Sequence, residues 1–337
     1  MRRQARSVRE LSGPCADALG NELLLATEPA VVRGLVGDWP AVQAAGQSAA
    51  AAIDYLRRFD RGMQVVAQVA PPEADGRIFY NADFSGFNFQ PQRVTFAAVL
   101  DQLQAWLDQS PTPLLYMGST TIDTALAGFR VQNDLAIDGH TPLASIWIGN
   151  RSRIAAHQDL PDNIACVVAG RRRVTLFPPD QLKNLYIGPL DFTPAGQAIS
   201  LVDFAAPDFE RFPRFAEALQ QAQVAELEPG DALFIPSLWW HHIEALEAFN
   251  VLVNYWWRSS PAFMDSPMNT LMLALMTMRD LPAEQRRHWQ EIFRHYVFEA
   301  NDGTAAHIPE PARRVLGPLD DNIARELRAR LLQRLNR

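Results

Sequence analysis

"AAHQDLPDNIACVVAGRRRVTLFPP", residues 155–179, decides how this chain is read. It sets His157 and Asp159 two positions apart, follows them with a short apolar run, turns at Ala169-Gly170 and leaves through Arg171, Arg172 and Arg173. In an extended strand alternate side chains share a face, so His157 and Asp159 point the same way and can offer a nitrogen and an oxygen to one ion. An H-x-D pair also recurs by chance on surface strands, so a third ligand has to come from elsewhere in the chain. It is available in "GDALFIPSLWWHHIEAL" (230–246), where a strand ends at Pro236 and two tryptophans precede His241 and His242. Spacing alone does not choose between these two histidines. Two imidazoles and one carboxylate that leave coordination positions open are the facial ligand set of non-haem Fe(II) oxygenases. A closed structural zinc site usually contains thiolates instead.

The surrounding pattern is β-rich. Short runs at 113–118 (PLLYMG), 143–150 (LASIWIGN), 163–170 (NIACVVAG), 173–179 (RVTLFPP), 198–204 (AISLVDF), 224–236 (VAELEPGDALFIP) and 249–257 (FNVLVNYWW) are punctuated by glycine and proline. Many short strands separated by turn signals, with no regular helix between them, predict a sandwich or barrel. Before this region, residues 20–60 read as a helix, a short strand, a turn at Asp38-Trp39-Pro40 and another helix. After Ser260-Pro261 the chain turns helical, and Leu319, Ile323, Leu327 and Leu331 draw an apolar stripe that has to be buried somewhere. Three regions follow: a mixed α/β layer over 1–110 packing on the barrel, a β core over 111–260, and a C-terminal helical region over 261–337.

Composition narrows the function. The 337 residues are 48% hydrophobic, ample for a sizeable core. A net charge of −7, from 38 acidic and 31 basic residues with no basic block, speaks against nucleic acid as the partner. Cys15 and Cys166 lie too far apart in sequence to suggest a disulfide framework or a paired thiolate site, which favours a reducing cytoplasm. The start "MRRQARSVRELSG" carries positive charge, yet Glu10, Pro14 and Asp17 fall where a secretory signal needs an apolar stretch. The most apolar helical segment, "SPMNTLMLALMTMRD" (266–280), is too short to span a membrane.

Taken together, "HQDLPDNIACVVAGRRRVTLFPPDQ", "VDFAAPDFERFP", "LEPGDALFIPSLWWHHIEAL" and "NVLVNYWW" stand in the order and approximate spacing of the JmjC-like, cupin-like hydroxylases. Within that family they most resemble the asparaginyl hydroxylases typified by factor inhibiting HIF. The resemblance covers about residues 110–258, and "EPAVVRGLVGDWPAV" (28–42) is similar to the family's usual beginning. It implies a double-stranded β-helix (the cupin or JmjC jelly roll), Fe(II) in its mouth, and 2-oxoglutarate and dioxygen as cosubstrates. Carried over by position, His157, Asp159 and His241 match the iron ligands. His241 is preferred because it directly follows Trp239-Trp240, which leaves His242 in a supporting role.

The same resemblance places Arg172 where the family has a lysine for the far carboxylate of 2-oxoglutarate, together with Tyr116 on an earlier strand. Asn163 and Asn254 match two amide residues beside the cosubstrate, and Trp256 shares a strand face with Asn254. Arg171 and Arg173, on the opposite face from Arg172, are expected to meet solvent or acidic neighbours. One departure stands out: Ile154 replaces the threonine that the family carries three residues before its first iron histidine. The reaction implied is hydroxylation of a protein side chain or small molecule, coupled to decarboxylation of 2-oxoglutarate to succinate. Two competing expectations are a barrel that binds Zn(II), Ni(II) or Mn(II) without turnover and an interaction protein that docks through its methionine-rich helices. The C-terminal helices are expected to build a homodimer.

Overall fold

The computed structural model describes residues 5–11 and 20–336; Cys15 lies outside them. The described residues contain fifteen strands. In chain order the first seven are β1 (Arg6–Ser7), β2 (Arg9–Leu11), β3 (Ala30–Val32), β4 (Gln64–Ala70), β5 (Arg77–Ile78), β6 (Gln90–Thr95) and β7 (Leu114–Thr121). The remaining eight are β8 (Leu143–Gly149), β9 (Ser152–His157), β10 (Asp162–Ala169), β11 (Arg172–Phe177), β12 (Gln223–Leu227), β13 (Ala232–Ile235), β14 (Trp240–Ala245) and β15 (Asn250–Trp257).

These last eight strands form the jelly roll. Four of them run β13-β10-β15-β8 inside a nine-stranded sheet, and the other four run β12-β11-β14-β9 inside a six-stranded sheet. All neighbours within each set of four are antiparallel. Consecutive strands alternate between the sheets except at β11 and β12, which are paired in the same sheet, so the chain winds as a double-stranded β-helix with one interior.

Alternation along the strands decides what fills that interior. Ala165 and Val167 of β10, Val174 and Leu176 of β11, Leu233 of β13 and Leu252 of β15 close one end as a buried apolar plug. The opposite faces of β8, β10 and β15 send Ile146, Ile148, Ile164, Cys166, Val253 and Tyr255 into a second core. That core is covered by helices 40–47, 49–57 and 96–105 through Val42, Ile53, Leu56, Val99, Leu100 and Leu103. The helices start where the sequence supplies caps. Pro40 sits at the first helical position, Ser48 Oγ accepts from Ala51 N at 3.0 Å, and Thr95 Oγ1 accepts from Ala98 N at 3.2 Å.

Two of the expected strands differ. The run 224–236 is not continuous: it breaks into β12 and β13 at Gly230, whose φ of 99° is open to glycine and reverses the chain. The run 198–204 is not a strand but an extended segment with an isolated bridge between Ile187 and Ser200. Ser200 Oγ turns back to donate to Leu185 O at 2.6 Å, and Asp203 Oδ1 accepts from Ala205 N at 2.9 Å, so side chains take up the backbone groups that a ladder needs.

The chain divides into two compact units, Met1–Arg258 and Ser259–Arg337. The second is built on helices Pro267–Met278, Ala283–Phe293 and Asp321–Leu335. Leu319 of the expected stripe precedes the last helix, because the Asp320 carboxylate accepts from Asn322 N and Ile323 N and caps it there. Within this unit Ala305 alone is buried among the described residues. No helix among the described residues is long and apolar enough to cross a membrane.

Candidate metal centre

The open end of the jelly roll is a cavity of about 300 Å³. His157 ends β9, His241 is the second residue of β14, and the two are direct partners across that strand pair. Their rings lie 4.3 Å apart between centroids. Asp159 sits just beyond the end of β9 and not within it, so its placement comes from the loops. Leu238 N donates to Asp159 O at 2.8 Å, and Ser237 N donates to Asp162 Oδ1 at 2.9 Å. The loop entering β14 is thereby tied to the loop leaving β9. One ligand atom from each of His157, Asp159 and His241 lies within 4.8 Å of the others.

The donor set suits a divalent ion. His157 Nδ1 is 2.9 Å from Ala155 O and His241 Nδ1 is 3.0 Å from Trp239 O. A carbonyl only accepts, so each Nδ1 carries the proton and each Nε2 keeps its lone pair for a metal. Burial, reinforced by the neighbouring His157 and opposed by Asp159, pulls the pKa of His241 down to about 4. It is therefore neutral at pH 7, and its 3.7 Å approach to Asp159 Oδ2 is the spacing of two ligand atoms, not an ion pair.

His242 points away from this group. It is buried, stacks on Phe204 with centroids 4.6 Å apart, and has no partner for Nδ1. Burial first, then Arg153, lowers its pKa to about 3.

The other four singled-out residues and Tyr116 line the same cavity: Tyr116, Asn163, Arg172, Asn254 and Trp256. Arg172 is only 3% exposed, its Nε has no hydrogen-bond partner, and no carboxylate pairs with it among the described residues. Burial lowers its pKa to about 10, partly offset by Tyr116, and burial raises that of Tyr116, which stays protonated. Its neighbours behave differently, as strand alternation requires. Arg171 pairs with Glu247 at 2.6 Å, and Arg173 bridges Glu226 at 3.0 Å and Glu244 at 3.5 Å. Gly170 makes the turn before them at φ 71°, where a Cβ would lie 2.2 Å from Asn250 Oδ1.

Trp147 Nε1 donates to Asn254 Oδ1 at 2.7 Å, and Asn254 Nδ2 donates to Asn163 Oδ1 at 3.3 Å, forming a polar chain along one wall. Trp147 and Trp256 meet edge to face at 5.8 Å. Ile154 faces the cavity as an apolar wall. Arg153, the other cation nearby, is already engaged by Asp203 at 2.8 Å and Asp75 at 2.9 Å.

Among the lining side chains able to hydrogen-bond, Gln68, Ser119, Trp147 and Gln197 were not singled out from the sequence. Trp147 was accessible in principle, since it alternates with Ser145 on the inner face of β8. Gln197 was not, because it lies in the long excursion between β11 and β12, where no periodicity fixes a direction. It donates from Nε2 to Asp159 Oδ1 at 3.1 Å.

The sequence profile of a family described as "Cupin-like domain" matches residues 16–263. The chain belongs to that family. Among curated proteins, this cupin-like chain is 35% identical over 128 residues to lysine-specific demethylase JMJ31 of Arabidopsis thaliana, covering 36% of the chain and 23% of that protein. It is 34% identical over 145 residues to tRNA wybutosine-synthesizing protein 5 of Gallus gallus, covering 39% of the chain and 42% of that protein. A longer match at 25% identity joins it to lysine-specific demethylase 8 of Xenopus tropicalis, over 74% of the chain and 53% of that protein. The chain thus spans at most about half the length of these relatives.

Proposed function

We propose that this chain is an Fe(II)- and 2-oxoglutarate-dependent dioxygenase that hydroxylates a protein side chain or a small molecule. The observation that carries this reading is the pairing of His157, Asp159 and His241 with an unpaired buried cation, Arg172, in one cavity. A buried charge without a counter-ion costs several kcal/mol, so an anionic ligand beside the metal triad explains why the arginine is there. Its planar fork can hold a carboxylate through two parallel hydrogen bonds.

In this reading His157, Asp159 and His241 would hold iron through three ligand atoms and leave coordination positions free for cosubstrate and dioxygen. Arg172, with Tyr116 as hydroxyl donor, grips the far carboxylate of 2-oxoglutarate. Asn163 and Asn254 orient its other end, while Trp147 and Trp256 wall the site from water. Iron bound there with dioxygen and 2-oxoglutarate supplies the oxidation: one oxygen atom ends in succinate with loss of CO₂, the other in the substrate hydroxyl.

The relatives' names point to lysine and tRNA substrates, and the fold does not choose among them. The charge of −7 favours a protein or small molecule over tRNA. We propose a homodimer built by the second unit, whose Met268, Leu271, Met272, Met276, Leu331 and Leu335 are all exposed, and a reducing cytoplasm as the compartment.

The test is anaerobic reconstitution with Fe(II) and 2-oxoglutarate, followed by admission of oxygen and measurement of succinate. Slow uncoupled succinate formation, absent in Asp159→Ala, is expected. Stoichiometric metal retention with no succinate formed, while a related hydroxylase turns over in the same buffer, would move the chain to a metal-binding barrel without turnover.

A further inference from the structure

We propose that Gln197 is a positioning residue for the metal: it fixes which oxygen of Asp159 faces the ion. The inference rests on metal binding at His157, Asp159 and His241, and not on any oxidation performed there.

Asp159 has two oxygens with different surroundings. Oδ1 accepts the Gln197 amide at 3.1 Å, and Oδ2 faces His241 Nε2 at 3.7 Å. The backbone of Asp159 is fixed by Leu238 N, but that bond leaves the carboxylate free to rotate about χ2, a broad torsion with little intrinsic preference. Gln197 removes this freedom. With Oδ1 occupied by a donor, Oδ2 alone is presented, and the carboxylate binds through one oxygen. Two-oxygen binding would use a coordination position that a facial triad keeps open.

Gln197 can hold this position because its loop is fastened at several points. Ser200 N donates to Ala156 O at 2.7 Å, on the strand that ends in His157. Tyr80 Oη donates to Phe192 O at 2.6 Å, and Gly196 N donates to Thr193 Oγ1 at 2.9 Å. The ring of Phe192 stacks on Phe87 at 4.9 Å. The excursion between β11 and β12 is therefore clamped to the barrel mouth on either side of Gln197, so its amide reaches Asp159 from a fixed base.

The test uses the full-length, metal-stripped protein titrated with Co(II), read by affinity and by the visible d–d spectrum. Gln197→Met keeps the length of the side chain and removes the donor; Gln197→Asn keeps an amide but shortens its reach. Both are expected to weaken Co(II) binding by roughly 10-fold or more and to shift the d–d bands as the carboxylate turns, while the melting temperature of the metal-free protein stays unchanged. Wild-type affinity and an unshifted spectrum in either folded variant would overturn the proposal. Failure of the wild-type protein to bind Co(II) would overturn the metal triad itself and this role with it. Absence of succinate formation alongside normal Co(II) binding would count against the oxygenase only.

Discussion

His157 and His241 are partners across the β9–β14 pair, their rings 4.3 Å apart, so adjacent strands of one sheet bring two imidazoles to one point. His242, one residue on, is turned by the pleat to the other side of the sheet and rests on Phe204. Replacing His241 by Ala is therefore expected to abolish metal retention. His242→Phe keeps the stacked ring and removes an unpartnered nitrogen, so metal content should match wild type and stability should change by less than about 1 kcal/mol. Metal analysis of the two purified variants separates the roles.

Arg172 and Tyr116 make a second prediction. Arg172→Met removes a buried charge without leaving a partner stranded, so the ligand-free protein should be as stable as wild type or more so. Metal content should be unchanged, while the 2-oxoglutarate concentration needed for half-maximal succinate formation should rise roughly 10- to 100-fold, as for loss of a charge-assisted hydrogen bond. Unchanged cosubstrate dependence would reject Arg172 as the anchor.

Tyr255 ties the outer core together far from the cavity. Its hydroxyl accepts from Leu135 N at 3.1 Å and donates to Asp134 Oδ1 at 3.1 Å. Tyr255→Phe leaves the buried Leu135 amide without its acceptor, and chemical denaturation should show a loss of about 1–3 kcal/mol with metal binding intact.

Acidification should destabilise the metal-free protein. Burial depresses His241 to about 4 and His242 to about 3, whereas both titrate near 6.5 when unfolded. Between those values the unfolded chain binds protons that the folded chain does not, so stability is full above about pH 6.5 and falls as pH drops toward 4. Thermal melts from pH 8 to pH 4 should show this decline, reduced in His242→Phe.

The sequence by itself determined the β-rich core, because turn residues and strand alternation are local properties of the chain. Alternation also separated Arg172 from Arg171 and Arg173, and it put Asn254 and Trp256 on one face. It put His157 and Asp159 on one face of a single strand, whereas the strand stops at His157 and the loop before β14 holds the backbone of Asp159 through Leu238 N.

Only the tertiary structure decided the rest. Spacing left His241 and His242 open and the family resemblance alone preferred His241; what physically separates them is the pairing register between strands distant in sequence. That Arg172 lacks a counter-ion while Arg153 has two follows from which carboxylates the fold brings near, which no local pattern encodes. Gln197 reaches Asp159 from an irregular loop, where the chain's direction is set by contacts made at a distance and not by the period of its residues.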